Sequence, residues 1–159
     1  MQQHITPMLW YNNNAEEAAQ FYTSIFKNSS IDHVARAPKG GPNPEGSVMV
    51  VSFTLNGQKF TALNGGPMFQ FSEAISFVIG CKDQEEIDYY WGRLTADGGQ
   101  ESQCGWLKDK YGLSWQVTPA NWGEMMVGGD PKKSANAFQA MMGMKKLDIA
   151  TLEKAYAEG

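Results

Sequence analysis

Four scarcities bound this sequence before any motif is considered. It holds two cysteines in 159 residues, too few for a disulfide framework, so its stability must come from a packed interior. Its two histidines, His4 and His33, lie far apart, and neither belongs to a cluster with metal-ligand spacing. No run of Lys or Arg exceeds two residues and the net charge is −4, which removes the basic footprint that nucleic acid or an anionic membrane surface requires. No apolar run approaches membrane-spanning length, and the opening MQQHITPMLW lacks the basic and long apolar regions of a secretion signal. The expectation is a cytoplasmic protein with neither nucleic acid nor a membrane as partner. What is present suits a globular core: 42% of residues are hydrophobic and 12% aromatic, in a length that fits one ordinary domain over 1–159.

The chain repeats itself. AEEAAQFYTSIF (15–26) aligns with QEEIDYYWGRLT (84–95) at an offset of 69 residues. Asn14 and Asp83 precede the two segments as N-caps, and Glu17 and Glu86 stand three residues later, which completes a capping box in each. Ala18, Phe21, Tyr22 and Ile25 fall at i, i+3, i+4 and i+7, as do Ile87, Tyr90, Trp91 and Leu94. Two equivalent amphipathic helices follow from this pattern.

A short strand-like run precedes each helix, ITPMLWY (5–11) and AISFVI (74–79). After the first helix come SIDHVAR, a Pro/Gly loop at 38–46, SVMVVSFTL, Asn56-Gly57 and QKFTAL. Asn-Gly between two β-prone runs predicts a hairpin, because both residues tolerate positive φ. After the second helix a turn at 96–99 leads to SQCGWLK, a turn at Asp109–Gly112, and LSWQVT. On such a strand Cys104 and Trp106 would share a side. Module one therefore runs over about 3–64 and module two over about 73–119, each reading strand, helix, then antiparallel strands. The joint NGGPMFQFSE (64–73) reads as a turn and not a phosphate cradle. From about 120 to 159 the pattern is a helical tail, with Asp130 capping a helix that begins at Pro131. Phe138, Met141 and Met142 share one helical face, and Ile149, Leu152 and Tyr156 mark a last helix. Five of nine methionines lie in this tail, as core filler or as a dimer contact.

A doubled βαβββ unit with a capped helix in each half resembles the vicinal oxygen chelate superfamily of glyoxalases and of bleomycin and fosfomycin resistance proteins. ITPMLWY with AEEAAQFYTSIF, GSVMVVSFTLNGQKFTALNGGP, EAISFVI and CGWLKDKYGLSWQVTP resemble its PhnB-like branch, often labelled 3-demethylubiquinone-9 3-methyltransferase. The resemblance covers nearly the whole chain. It implies an α+β fold of two βαβββ modules forming a cupped mixed sheet over a small cavity, and a homodimer.

Metal-using members of that superfamily carry a histidine on the first strand of each half and a glutamate on the last strand. Counting back from Phe21-Tyr22 places the first position at about Pro7, and the second falls on Ser76 or Phe77. The glutamate position, after the Asp109–Gly112 turn, falls on Gln116. Proline donates nothing, Ser76 is neutral, and an uncharged Gln116 cannot offset a divalent cation as a carboxylate does. The resemblance thus implies a protein that is metal-free and needs no cofactor. His4 and Glu73 lie three residues before Pro7 and Ser76, an odd step that turns them to the opposite strand face.

If Gln116 faces the cavity, so do Ser114 and Thr118, while Trp115 and Val117 pack under the helices. By the same parity Pro7, Leu9 and Tyr11 look inward from the first strand, and Asn64 adds a polar contact. Cys104 with Trp106 is either a thiol in that cavity or a small buried hydrophobe. The predicted pocket takes a small neutral or aromatic molecule; the same side chains can also simply fill the cup. Three alternatives stand beside small-molecule binding: a metal-assisted glyoxalase- or dioxygenase-type enzyme, a methyltransferase, and a ligand-sequestering resistance-type protein. For methyl transfer the glycine pairs at 40–41, 65–66, 98–99 and 128–129 read as turns, and none opens a helix after a strand as a nucleoside-cofactor loop does.

Overall fold

The computed structural model describes residues 5–159. Along the chain run β1 (Met8–Tyr11), α1 (Ala15–Ile25), β2 (Ser30–Arg36), β3 (Val48–Leu55) and β4 (Gln58–Asn64). A second series follows: β5 (Ser76–Cys81), α2 (Gln84–Thr95), β6 (Gln100–Glu101), β7 (Trp106–Lys108) and β8 (Ser114–Pro119). Helices α3 (Trp122–Val127), α4 (Pro131–Met142) and α5 (Ile149–Ala157) close the chain. Two compact units divide between Phe71 and Ser72. Each holds a four-stranded mixed sheet, ordered β1-β4-β3-β2 in the first and β5-β8-β7-β6 in the second. In both, the outer strand before the helix pairs in parallel with the last strand, and the remaining pairs are antiparallel. The fold is the expected α+β pair of βαβββ modules with a helical C-terminal region. No helix among the described residues is long and apolar enough to cross a membrane.

In the first unit, Asn56 (φ 47°) and Gly57 (φ 82°) turn β3 into β4 with both residues at positive φ, as Asn-Gly hairpins do. One face of the sheet is buried: Leu9, Tyr11, Val51, Phe53, Phe60 and Ala62. Tyr22 of α1 stacks on Phe53, which stacks on Phe60, with ring centroids 6.2 and 5.5 Å apart. The α1 cap differs from expectation. Asn14 makes no side-chain cap bond; Asn64, at the end of β4, accepts instead from the Ala15 N–H at 2.8 Å. Its Nδ2 donates to the Val48 carbonyl, so one amide joins helix and sheet. At α2 the cap side of the expected box forms, with Asp83 accepting from Glu86 N–H, while Glu86 reaches past the N-cap to accept from Lys82 N–H, each at 2.9 Å.

In the second unit, Ile87, Trp91 and Leu94 of α2 are buried, as are Leu107, Trp115 and Val117 of the sheet. The Trp91 indole donates to Glu101 Oε1 at 2.7 Å and ties the helix to β6. The expected single strand through SQCGWLK is broken. Cys104 sits at φ +62° and Gly105 at φ +83°, and their N–H groups donate to Met144 and Lys145 carbonyls of the tail at 2.8 Å each. The tail is held there by side chains as well. Gln84, the first residue of α2, donates to the Leu147 carbonyl at 3.0 Å and accepts from the Ile149 N–H at 2.8 Å. Lys146 pairs with Asp88 at 2.8 Å, and Leu147 is fully buried. Asp130 caps α4 through the N–H groups of Lys132 and Lys133, with Pro131 at the first turn. The apolar face of α4 is not core: Phe138 and Met142 are exposed, and Ala137 is the buried residue of this helix.

Candidate functional site

The second sheet has a face turned away from α2. Residue pairing puts Ser76, Ser114 and Lys108 in one cross-strand row, and Val78, Gln116 and Trp106 in the next-but-one row on the same face. The intervening row, Phe77, Trp115 and Leu107, belongs to the helix side, where Phe77 and Trp115 rings lie 5.6 Å apart. Gln116 Nε2 donates to Ser76 Oγ at 3.0 Å across the β5–β8 pair. Ser114 is 1% exposed, and its hydroxyl has no hydrogen-bond partner. Above this row Lys108 forms an ion pair with Glu73, and Ser114, Lys108, Glu73, Trp106, Gln100 and Ser102 line a hollow of about 140 Å³. The Lys108 ammonium, as hydrogen-bond donor to Glu73, holds that carboxyl below the usual glutamate value.

The turn between β7 and β8 sets which residues reach this face. Asp109 is buried; its Oδ1 accepts from the N–H groups of Tyr111 and Leu113, and its Oδ2 from the Trp115 indole at 2.9 Å. Gly112 closes the turn at φ +86°. With Trp115 pinned toward the core, Ser114 and Gln116 on either side of it must point away from α2.

The structure brings together Trp106, Ser114 and Gln116 of the expected residues, and with them Ser76, which the resemblance implies only as a metal-ligand position. Thr118, on the same face, is buried and donates to the Ile79 carbonyl at 3.4 Å. Trp115 and Val117 pack into the core as expected. Leu9 and Tyr11 do not look away from their helix. Both are buried, and the Tyr11 hydroxyl donates to that of Tyr22 on α1 at 3.1 Å.

The reason is a one-residue slip. The loop from β1 to α1 has three residues, Asn12 to Asn14, whereas that from β5 to α2 has two, Lys82 and Asp83. Matched by strand ends, Tyr11 corresponds to Cys81, each being the last residue paired to its parallel neighbour. The counterpart of Ser76 is then Thr6, not Pro7, and one residue reverses every side chain on a strand. Pro7 precedes β1, half-buried, with its carbonyl accepting from Thr61 N–H at 2.9 Å.

Asn64 is committed to its two structural bonds. An open hollow of about 840 Å³ beside it, at the start of α1, is lined mainly by asparagines and by Glu16 and Glu17. Cys104 is half-buried in the left-handed turn, so the strand parity that paired it with Trp106 does not hold. Cys81 is buried, and burial, followed by the carboxylates of Glu86 and Asp83, pushes its thiol up to about 12. Lys108 is the participant that the sequence gives no role at the site, although it ends the run SQCGWLK; its place opposite Ser114 follows from the Asp109–Gly112 hairpin register.

The family model described as 3-demethylubiquinone-9 3-methyltransferase matches residues 3–118. The chain belongs to this family. Among solved structures it is similar to the PhnB protein from Bacillus cereus, which carries the same methyltransferase description, with 39% identity over 74% of this chain and 100% of that one (TM-score 0.68). A protein from Pseudomonas aeruginosa is 17% identical over 74% of this chain and 98% of its own (TM-score 0.60). The fosfomycin resistance protein FosX from Listeria monocytogenes, complexed with Mn(II) and sulfate, is 14% identical over 87% of this chain and 98% of its own (TM-score 0.51). These last two show the fold alone. No curated protein matches the chain. Helices α3 to α5 lie beyond the segment that the family model matches.

The resemblance drawn from the sequence makes a divalent ion the occupant to test. Ser76 and Gln116 are neutral and bonded to each other. Among the described residues no three His, Cys, Asp or Glu side chains come together as a metal would need. His33 is exposed on the edge strand β2, Glu73 is held by Lys108, and His4 lies outside the described residues. The donor set does not fit a divalent cation.

Proposed function

We propose that the chain binds a small molecule on the face of the second sheet turned away from α2, without a divalent metal or other cofactor. The observation that carries this reading is the 3.0 Å bond from Gln116 Nε2 to Ser76 Oγ. An amide and a hydroxyl orient a ligand by hydrogen bonds, and the neighbouring Trp106 indole supplies apolar contact area. Neither group is an acid or base near neutral pH, so the site is built for reversible recognition.

The family description names a methyltransferase. Weighing against methyl transfer here, each sheet holds a single parallel pair, and the four glycine pairs lie in turns that do not lead from a strand into a helix. We further propose a cytoplasmic homodimer. Its support is apolar surface on the outer strands and beside them: Met8 on β1, Val78 on β5, and Ile75 just before β5 are all exposed. Light scattering on the eluted protein would return twice the chain mass.

The decisive experiment purifies the protein without chelator or histidine tag, measures its metal content, and titrates it with quinones, phosphonates and aromatic antibiotics. A metal-poor protein that binds one of these classes, with affinity lost in Gln116→Ala, supports the reading. A stoichiometric divalent metal overturns it. Labelled S-adenosylmethionine should show no turnover with the same panel.

A further inference from the structure

The hollow above Ser114 has a chemistry that narrows the ligand. Ser114 is buried with its hydroxyl unpartnered, an arrangement that native structures rarely leave without a use. Its cross-strand neighbour Lys108 offers an ammonium, which donates and never accepts. Lys108 is satisfied by Glu73, which stands outside the regular strand, before β5, with its side chain 62% exposed. The other carboxylate of the lining, Glu101, is occupied by the Trp91 indole. A donor-only ammonium beside a hydroxyl without a partner calls for a group that only accepts, and Glu73 already shows which one.

We propose that this hollow is a carboxylate subsite, in which the carboxylate of a small organic acid replaces that of Glu73 on Lys108 and accepts from the Ser114 hydroxyl. The inference rests on the small-molecule reading above and gives it a substrate class. The volume, about 140 Å³, corresponds to roughly four or five waters at ~30 Å³ each, enough for a carboxylate and a short body. Trp106, on the same lining, gives that body a flat apolar surface. Glu73 then acts as a displaceable internal competitor: it keeps Lys108 paired when the hollow is empty, and its exposed position lets it swing into solvent.

The test is calorimetric titration of the full chain with benzoate and with its neutral analogue benzamide, using wild type, Glu73→Gln, Ser114→Ala and Lys108→Met. The Trp106 indole N–H shift serves as a local reporter. Removing the competitor should tighten benzoate by about tenfold, and removing the ammonium should weaken it by about the same factor, since charge-assisted bonds are the strong ones. Ser114→Ala should weaken benzoate about threefold to tenfold, a loss expected of one hydrogen bond. Benzamide should respond to none of the charge changes. Unfolding midpoints for each variant confirm that the fold is kept, and Glu73→Gln, a gain of affinity, cannot arise from misfolding. If benzoate affinity is unchanged in Glu73→Gln, or benzamide tracks benzoate, the carboxylate subsite is overturned. Should benzamide or a quinone still move the Trp106 signal in that case, small-molecule binding stands without it. If no compound moves it, both fall.

Discussion

The indole nitrogen of Trp115 donates to Asp109 Oδ2 at 2.9 Å, and both residues are buried. This bond spans the β7–β8 turn and decides which way the strand presents its side chains. The same carboxylate also accepts from two backbone N–H groups. Asp109→Ala would leave three donors without an acceptor, at a cost of about 3 kcal/mol. Asp109→Asn keeps one oxygen but sets an amide donor against the indole donor, so it should fall between the two. Urea denaturation of the three proteins checks the order.

The caps of α1 give a second comparison. Asn14→Ala should leave stability nearly unchanged, because its side chain makes no cap bond. Asn64→Ala removes the acceptor for Ala15 N–H and should cost about 1 kcal/mol. Equal effects in thermal unfolding would contradict this assignment.

The Lys108–Glu73 pair has a definite pH signature. Glu73 titrates below its usual 4.5, first because Lys108 donates to it, then because of a backbone hydrogen bond at Glu73, and last because of the lysine's charge. A carboxyl whose folded value is depressed adds stability above its unfolded value and loses it as pH falls through the folded one. The pair should therefore stay closed through neutral pH and open only on acidification below the ordinary carboxylate range. Side-chain carboxyl NMR should place the Glu73 midpoint below 4.5, moving back toward it in Lys108→Met.

The two thiols should separate cleanly. With Cys81 held near 12 by burial and by Glu86 and Asp83, its reactive thiolate is scarce at about pH 8. Alkylation followed by peptide mass mapping should mark Cys104 first, with Cys81 labelled only after denaturation. Early modification at Cys81 is the outcome that contradicts its burial.

The hold of the tail on α2 is testable at Gln84. Its amide serves one carbonyl and one N–H, so Gln84→Ala should loosen the 147–149 segment by about 1–2 kcal/mol. Hydrogen exchange should speed up across 144–157 and leave α1 unchanged.

Much of this architecture is legible in one pass along the chain because its determinants are local. The helix faces, the Asn56-Gly57 turn and the Asp130-Pro131 start each lie within a few residues of what they control. The rest depends on partners distant in sequence. Asn64 caps a helix 49 residues away, which no pattern around Asn14 discloses. Cys104 lies in a β-prone run, yet the tail carbonyls of Met144 and Lys145 turn it into a left-handed bend. The face shared by Ser114 and Gln116 follows from the place that the resemblance gives Gln116 and from strand parity, which is local. That of Leu9 and Tyr11 does not follow, because the helix repeat hides the unequal loop before it.

That unequal loop has a consequence of its own. A duplicated segment is commonly expected to diverge by exchanging one residue type for another at matched places. Here a single extra position between Tyr11 and Ala15 gives the helix-derived alignment the opposite strand parity. Alignments anchored on the helices of the two copies will therefore compare an interior position of one with a surface position of the other. Any inheritance of roles from copy to copy has to be traced by strand ends instead.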